Sequence, residues 1–404
     1  MQKRFLHGRV ARALEGDLDD LLLAEHAYLA GDQAAARLWF RVARFSFGAG
    51  RGFEDEASAL YRRVLTLGVR PPEWYQACAF LSVRERVAGR AGEARVLIET
   101  VVRESSDALA RAMARAEGAN LAYLEGDMAQ ASELAQLAAQ EAAPLDDPGL
   151  ARDILLTQAN IAHYRGEYDL ALDIARGVVQ QQRQEALSHS RCNWLSTLAA
   201  NLCALGQYGE ALGHYQEQLE AARHLGLRAQ QVTASSDIIA TLHDLGRIQE
   251  GVPLAEAALD LGQYNDTFPL LYHLALAYSR AGRGTAALEQ LREVMNSHSV
   301  NMRAHGLALL AEVYSGLGAR AATQAALEDG LTLAEGCDIL TARAVVVIAV
   351  LQFAAAPLLV RAAPLVSELR GRALPAYLHG DFVSALAVHE GTAAFEGVVQ
   401  PGPA

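Results

Sequence analysis

The chain has 404 residues and a formal net charge of −12; half of its residues are hydrophobic and only 6% are aromatic. The acidic balance argues against nucleic acid, whose phosphates need Lys and Arg, and against an anionic membrane surface. Ala and Leu dominate, and both cost little to place in helices. The basic residues are almost all Arg, with the single Lys at Lys3.

The N-terminal stretch MQKRFLHGRVARALEGD holds no apolar segment of the signal-peptide kind, so a cytoplasmic location is expected. Residues 1–70 read as a helical segment, with turns at Gly31 and Gly52 and small residues at Ala36 and Ala57. Arg70-Pro71-Pro72-Glu73 reads as a helix break and restart, since proline suits a first helical turn. Gly89 and Ala94 then anchor one copy of a pattern that fills residues 71–336.

That pattern is explicit further on. GDMAQAS at Gly126, GEYDLAL at Gly166, GQYGEAL at Gly206, GRIQEGV at Gly246 and GRGTAAL at Gly282 stand 40, 40, 40 and 36 residues apart. GARAATQ at Gly318 follows after another 36. A fixed period of this size marks a stacked repeat array. Around Gly166 the apolar residues Ile154, Leu155, Ala159 and Ala162 precede the glycine at helical spacing, and Leu170, Ala171, Ile174, Ala175 and Val178 follow it likewise. Glycine tolerates the left-handed conformation that ends a helix and lets the chain reverse. Each repeat is therefore two antiparallel helices. Seven residues before the glycines stand Ala119, Ala159, Ala199, Ala275 and Ala311, with Ile239 the exception; five after stand Ala131, Ala171, Ala211, Gly251 and Ala287. Small residues there let the two helices cross closely, and stacked pairs bury a continuous core. About nine pairs are expected, with Ala143-Pro144-Leu145-Asp146-Asp147-Pro148-Gly149 as one inter-helix loop.

This pattern resembles the tetratricopeptide repeat from about Leu109 to Leu333, with periods longer than the standard of about 34 residues. The resemblance implies an all-α, right-handed superhelical solenoid of antiparallel pairs with an inner and an outer wall, of the long-helix kind found in bacterial regulators and peptide receptors. The segment RVARALEGDLDDLLLAEHAYLAGDQAAARLWFRVARFSF, running on into EASALYRRVLTL, is similar to the sensor region of bacterial signal-transduction ATPases and of transcriptional regulators of the maltose-activator type. Their ATP and DNA chemistry does not carry over. GAGRG at Gly48–Gly52 lacks the Lys and Ser/Thr of a phosphate loop, and no basic recognition helix is visible at the C-terminus.

Downstream, Ala344–Val360 is a 17-residue apolar stretch with Gln352 and Pro357, short of the roughly 20 residues that span a bilayer, and reads as one buried helix. Residues 337–397 read as capping helices, with HGDFVSAL at Gly380 as one more degenerate copy, and 398–404 as a disordered tail.

Chemistry is sparse. Cys78, Cys192, Cys203 and Cys337 show no CxxC spacing; Cys192 and Cys203, on one helix, would lie roughly 16 Å apart, too far for a disulfide. No HExxH or GxSxG occurs. His298 and His305 lack a third ligand, and Asp19-Asp20 and Asp146-Asp147 fit helix capping better than catalysis. No enzyme activity, metal or cofactor is expected. In the resembled family the first helix of each pair lines the inner groove. That register places Asn120, Tyr123, Asn160, His163, Asn193, Ser196, Ser236, His243 and Tyr272 on the inner wall, with Cys203 and Thr233 beside them. Amides both donate and accept, so such a strip suits an extended peptide backbone. Arg152, Arg191 and Arg228 near the starts of first helices suit a carboxylate or an exposed face, and Trp194 suits packing. The expected function is recognition of a protein or peptide in bacterial signalling or transcriptional regulation, without direct nucleic-acid or membrane binding. The alternative is a self-associating scaffold, for instance a homodimer, built on outer or terminal helices.

Overall fold

A computed structural model describes residues 20–30, 35, 37–40, 54–67, 70–261 and 267–398. Gly31, Ala36, the Gly48–Gly52 segment, Asp19 and the tail beyond Val398 lie outside the described residues, as does the side chain of Ala57.

Helices α1 (Asp20–Ala30) and α2 (Glu54–Leu65) lead into seven regular pairs. These are α3 (Pro72–Val87) with α4 (Ala91–Glu104), α5 (Ala108–Glu125) with α6 (Met128–Ala142), and α7 (Pro148–Tyr164) with α8 (Tyr168–Gln182). Then come α9 (His189–Ala204) with α10 (Tyr208–Leu225), α11 (Arg228–Asp244) with α12 (Ile248–Leu259), α13 (Phe268–Arg280) with α14 (Gly284–Val294), and α15 (Val300–Gly316) with α16 (Arg320–Glu335). Helices α17 (Leu340–Phe353), α18 (Ala356–Arg370) and α19 (Ala376–Val398) follow. Among the described residues no strand occurs, and no helix is long and apolar enough to cross a membrane.

The expected turns form. Gly89, Gly126, Gly166, Gly206, Gly246, Gly282 and Gly318 all have φ between 71° and 92°. At Gly166 the glycine N–H donates to His163 O (2.9 Å) and the Glu167 N–H reaches back to Ala162 O (2.9 Å), which satisfies the carbonyls at the helix end. Inner helices start on capping side chains: Asp107 accepts from Ala110 N, Asp147 from Gly149 N and Leu150 N, Ser188 from Arg191 N and Ser299 from Met302 N. The Asp146-Asp147 pair is thus a turn and a cap, and Pro72 opens α3.

Between the two helices of each pair the small residues are fully buried: Ala119 with Ala131, Ala159 with Ala171, Ala199 with Ala211, Ala275 with Ala287. In the fifth pair the sizes are exchanged. Ile239 is fully buried where the others have Ala, and Gly251 faces it; a Cβ on Gly251 would lie 2.9 Å from the Ile239 Cβ. Trp194 is fully buried in the core it shares with Leu195, Leu198 and Leu202.

Two expectations at the C-terminal end are corrected. The apolar stretch from 344 is broken at Ala354-Ala355, and Pro357 sits in the first turn of α18, because a helix cannot run through the residue before a proline without strain. Gly380 lies inside α19 with no left-handed turn, so it opens no further repeat.

The solenoid closes on itself. Successive inner helices α5, α7, α9, α11, α13 and α15 each touch the next, and α15 returns to touch α5. The chain then passes over the turns of the early pairs. Asp338 N–H donates to Gly126 O (3.0 Å), and Arg372 Nη2 donates to Arg165 O (3.3 Å). Cys337 packs on Gly126, Leu340 on Gly166 and Ala376 on Gly206. One core joins Met128 to Val300, Ala304, Cys337 and Leu340. The inner wall is therefore the lining of a closed bore rather than an open groove.

Candidate binding lumen

The bore is lined by side chains that project from the six inner helices. Most of its polar groups bond to a residue about one repeat away, across neighbouring inner helices. Thr197 Oγ1 donates to Asn160 Oδ1 (3.4 Å), Gln230 Nε2 to Asn193 Oδ1 (2.6 Å) and Ser196 Oγ to Asp237 Oδ2 (3.2 Å). His163 Nδ1 bonds the Asn201 amide oxygen (3.0 Å), and Ser236 Oγ lies 3.0 Å from His273 Nδ1. The repeat period thus becomes a ladder of hydrogen bonds that sets the rotation between pairs.

Each side chain that the register singles out has a definite place. Asn120 is half-buried and donates to Glu117 (3.2 Å), which Arg86 pairs from the preceding inner helix. Tyr123 stacks on Tyr164 with ring centroids 5.3 Å apart. Asn160, Asn193 and Ser196 are half-buried at the bore and belong to the ladder. His243 bonds Asp244 (3.2 Å). Tyr272 stands edge-on to His305 at 5.6 Å. His163 turns towards the fully buried Asn201, and Ser236 is itself fully buried against His273. Cys203 is buried beside Thr241. A step of one residue turns a helix by about 100°, and the residues after two of the selected ones take part in the same wall: Tyr164 stacks on Tyr123, and Asp237 accepts from Ser196. Arg152 pairs with Glu185 (2.8 Å) and Arg191 with Glu217 (2.7 Å); Arg228 is exposed.

Asp237 is the residue that the register missed. It stands nine positions before Gly246, where the two preceding pairs carry Thr157 and Thr197, so an acid at a hydroxyl position was the available signal. It is half-buried. Its hydrogen-bond partner is Ser196, and among the described residues it forms no ion pair. Burial pushes its carboxyl up to about 7, only partly offset by the Ser196 hydroxyl. Burial also depresses His163 and His305, and takes His273 down to about 3 with help from the nearby His305 and His243. At neutral pH these three imidazoles are therefore neutral, and the Asp237 carboxyl is close to half-ionised. Tyr377 of α19 enters near one end, close to Tyr164, Tyr168, Cys203 and Asp244, and burial raises its phenol. Among the described residues no group of His, Cys, Asp and Glu has the arrangement of a metal site.

The Asp237 shift has a measurable consequence. Its folded value lies above the ordinary 3.8, so its contribution to stability is complete below about pH 4 and is lost as pH rises to about 7. The depressed histidines act with the opposite sign, so the comparison must be with a variant. Asp237→Asn is expected to gain roughly 1–3 kcal/mol relative to the parent as pH rises from about 4 through 7, levelling off above it. Thermal melts across that range check it; parallel curves for the two proteins would contradict it.

Residues 40–139 match the tetratrico peptide repeat family. The fold is that of a tetratricopeptide-like repeat array. Solved structures extend the likeness along the chain. A Rap protein complexed with competence and sporulation factor superposes with a TM-score of 0.61 at 14% identity, over 83% of this chain and 97% of the other. The regulator NprR in complex with its cognate peptide NprX gives 0.54 at 14% identity, over 83% and 97%. A signal-transduction ATPase with a tetratricopeptide repeat sensor, from Pyrococcus horikoshii, gives 0.52 at 16% identity over 79% of this chain, which spans about half the length of that protein. At these identities the likeness is one of tetratricopeptide-like fold. No curated protein matches the sequence.

Proposed function

We propose that this tetratricopeptide-like bore is the binding site for a peptide or an extended protein segment, without catalysis, in bacterial signal transduction or transcriptional regulation. The observation that carries the reading is Asp237: a carboxylate enclosed by the inner wall, hydrogen-bonded by Ser196 and paired with no cation among the described residues. Burial holds this carboxyl near half-protonation at neutral pH, and a cation bound beside it would draw it into the charged form. A ligand amine, lysine or arginine would supply that partner, so the expected ligand carries a positive charge. Asn160 and Asn193, half-buried on neighbouring inner helices, offer amide groups to a peptide backbone. Closure of the ring favours a short peptide or a chain terminus over a folded surface. The similarity in fold to a Rap protein bound to competence and sporulation factor and to NprR bound to NprX supports the same reading.

The test is affinity capture from an extract of the source cell, followed by mass spectrometry. The parent protein is expected to retain a basic peptide or protein that the Asn160→Ala/Asp237→Asn variant loses by at least tenfold, with unchanged circular dichroism. Equal retention by both proteins would sink the assignment to the bore. A protein that captures nothing and runs as an oligomer dissociated by changes in its terminal helices would be the scaffold instead.

A further inference from the structure

A second site emerges from one arginine that lacks the ion pair its counterparts make. The position fifteen residues before a turn glycine carries Arg in three pairs: Arg111, Arg191 and Arg303. Arg111 pairs with Glu141 (3.2 Å) and Arg191 with Glu217 (2.7 Å), each reaching the outer helix of its own pair. Arg343, in the first turn of α17, makes the same link to Glu368 of α18 (2.7 Å). Glu217 stands eleven residues after Gly206, and eleven residues after Gly318 stands Asp329. Aspartate is one methylene shorter than glutamate. Arg303 and Asp329 line the same cleft, of about 410 Å³, but among the described residues Arg303 forms no ion pair. Arg303 is half-buried and donates to Ser297 O (2.7 Å), as Arg191 donates to Gln182 O and Arg343 to Cys337 O; the carboxylate that completes those two sites is missing here.

Among the described residues, Arg303 is the arginine whose pKa burial lowers, with no acid to raise it again. The cleft runs from Val300, at the start of α15, to Asp329, Thr332 and Leu333 of α16 and to Gly336 and Cys337. The first turn of the 17-residue α15 adds the positive end of a helix dipole to the same wall. The Asp329 side chain is exposed at the cleft.

We propose that this cleft is an oxyanion site, in which Arg303 grips the carboxylate or phosphate group of a small ligand much as Arg191 and Arg343 hold Glu217 and Glu368. The guanidinium has donors left over after Ser297, and its planar fork matches either group. The site lies outside the bore and does not depend on the peptide reading.

The experiment is thermal denaturation of the full chain in inorganic phosphate and in acetate, each against chloride at matched ionic strength. At least one of the two anions is expected to raise the melting temperature saturably, by about 2–5 °C at millimolar concentration; which one does so distinguishes a phosphate from a carboxylate ligand. Arg303→Met is expected to abolish the rise. Asp329→Glu is expected to complete the ion pair, raising the melting temperature in chloride and removing the response to either anion. No saturable rise with either anion, or a rise that persists in Asp329→Glu, overturns the proposal, and this second variant remains decisive if Arg303→Met does not fold.

Discussion

Gly126→Ala and Gly166→Ala are expected to destabilise the protein by about 2–5 kcal/mol each, against about 1–2 kcal/mol for Gly246→Ala or Gly282→Ala. All four glycines have positive φ, at 92°, 83°, 72° and 72°, so each substitution carries the strain of a side chain in the left-handed region. The surroundings separate them. A Cβ on Gly126 would lie 2.7 Å from the Cys337 Cβ, and one on Gly166 would lie 2.8 Å from Leu340 Cδ2 and 3.3 Å from Ala373 O. Gly246 and Gly282 have nothing within 4 Å. The excess cost at the first two measures how tightly the C-terminal helices sit on the early turns. It is read from denaturation midpoints, supplemented by local hydrogen exchange because repeat arrays need not unfold in one step. Equal losses at all four positions would mean that the ring is not closed in solution.

The same glycines show how far the sequence carries. Period, turn and helix pairing were legible because each depends on residues within about 20 positions of one another: a glycine that must turn left-handed, an Ala pair that must cross, an Asp or Ser that must cap. Closure of the ring was not legible. It joins Asp338 to Gly126 and Arg372 to Arg165, more than 200 residues apart, and follows from small rotations added up over six pairs. Gly380 misled because a glycine inside a helix looks, in sequence, like one that ends it. At the candidate site the register singles out Ser236, which is fully buried against His273, but not its half-buried neighbour Asp237. Asp237 is informative because of what is absent around it, and the absence of a partner is not written in a single sequence.

The second large effect concerns the exchanged pair in α11 and α12. Ile239→Ala removes a fully buried side chain and is expected to cost about 2–5 kcal/mol. Gly251→Ala pushes a methyl group to 2.9 Å from Ile239 Cβ and Cγ1 and 3.1 Å from its Cα, and is expected to cost about 1–3 kcal/mol. The double variant recreates the Ala–Ala contact that the third, fourth and sixth pairs use, with Ala159 against Ala171, Ala199 against Ala211 and Ala275 against Ala287. Each change relieves the defect of the other, so the pair is expected to be less costly than the sum by about 1–3 kcal/mol. Strict additivity would show that Ile239 and Gly251 are not alternatives to the alanine contact, and that helix spacing in this repeat is set elsewhere.

Hydrogen exchange of the protein with its captured partner bound tests most directly whether the bore is the place where a partner sits. The inner helices α7, α9 and α11, which carry Asn160, Asn193, Ser196 and Asp237, are expected to gain protection, while the outer helices α8, α10 and α12 stay unchanged. Protection confined to the outer helices or to the chain ends, with the inner helices unaffected, would contradict it.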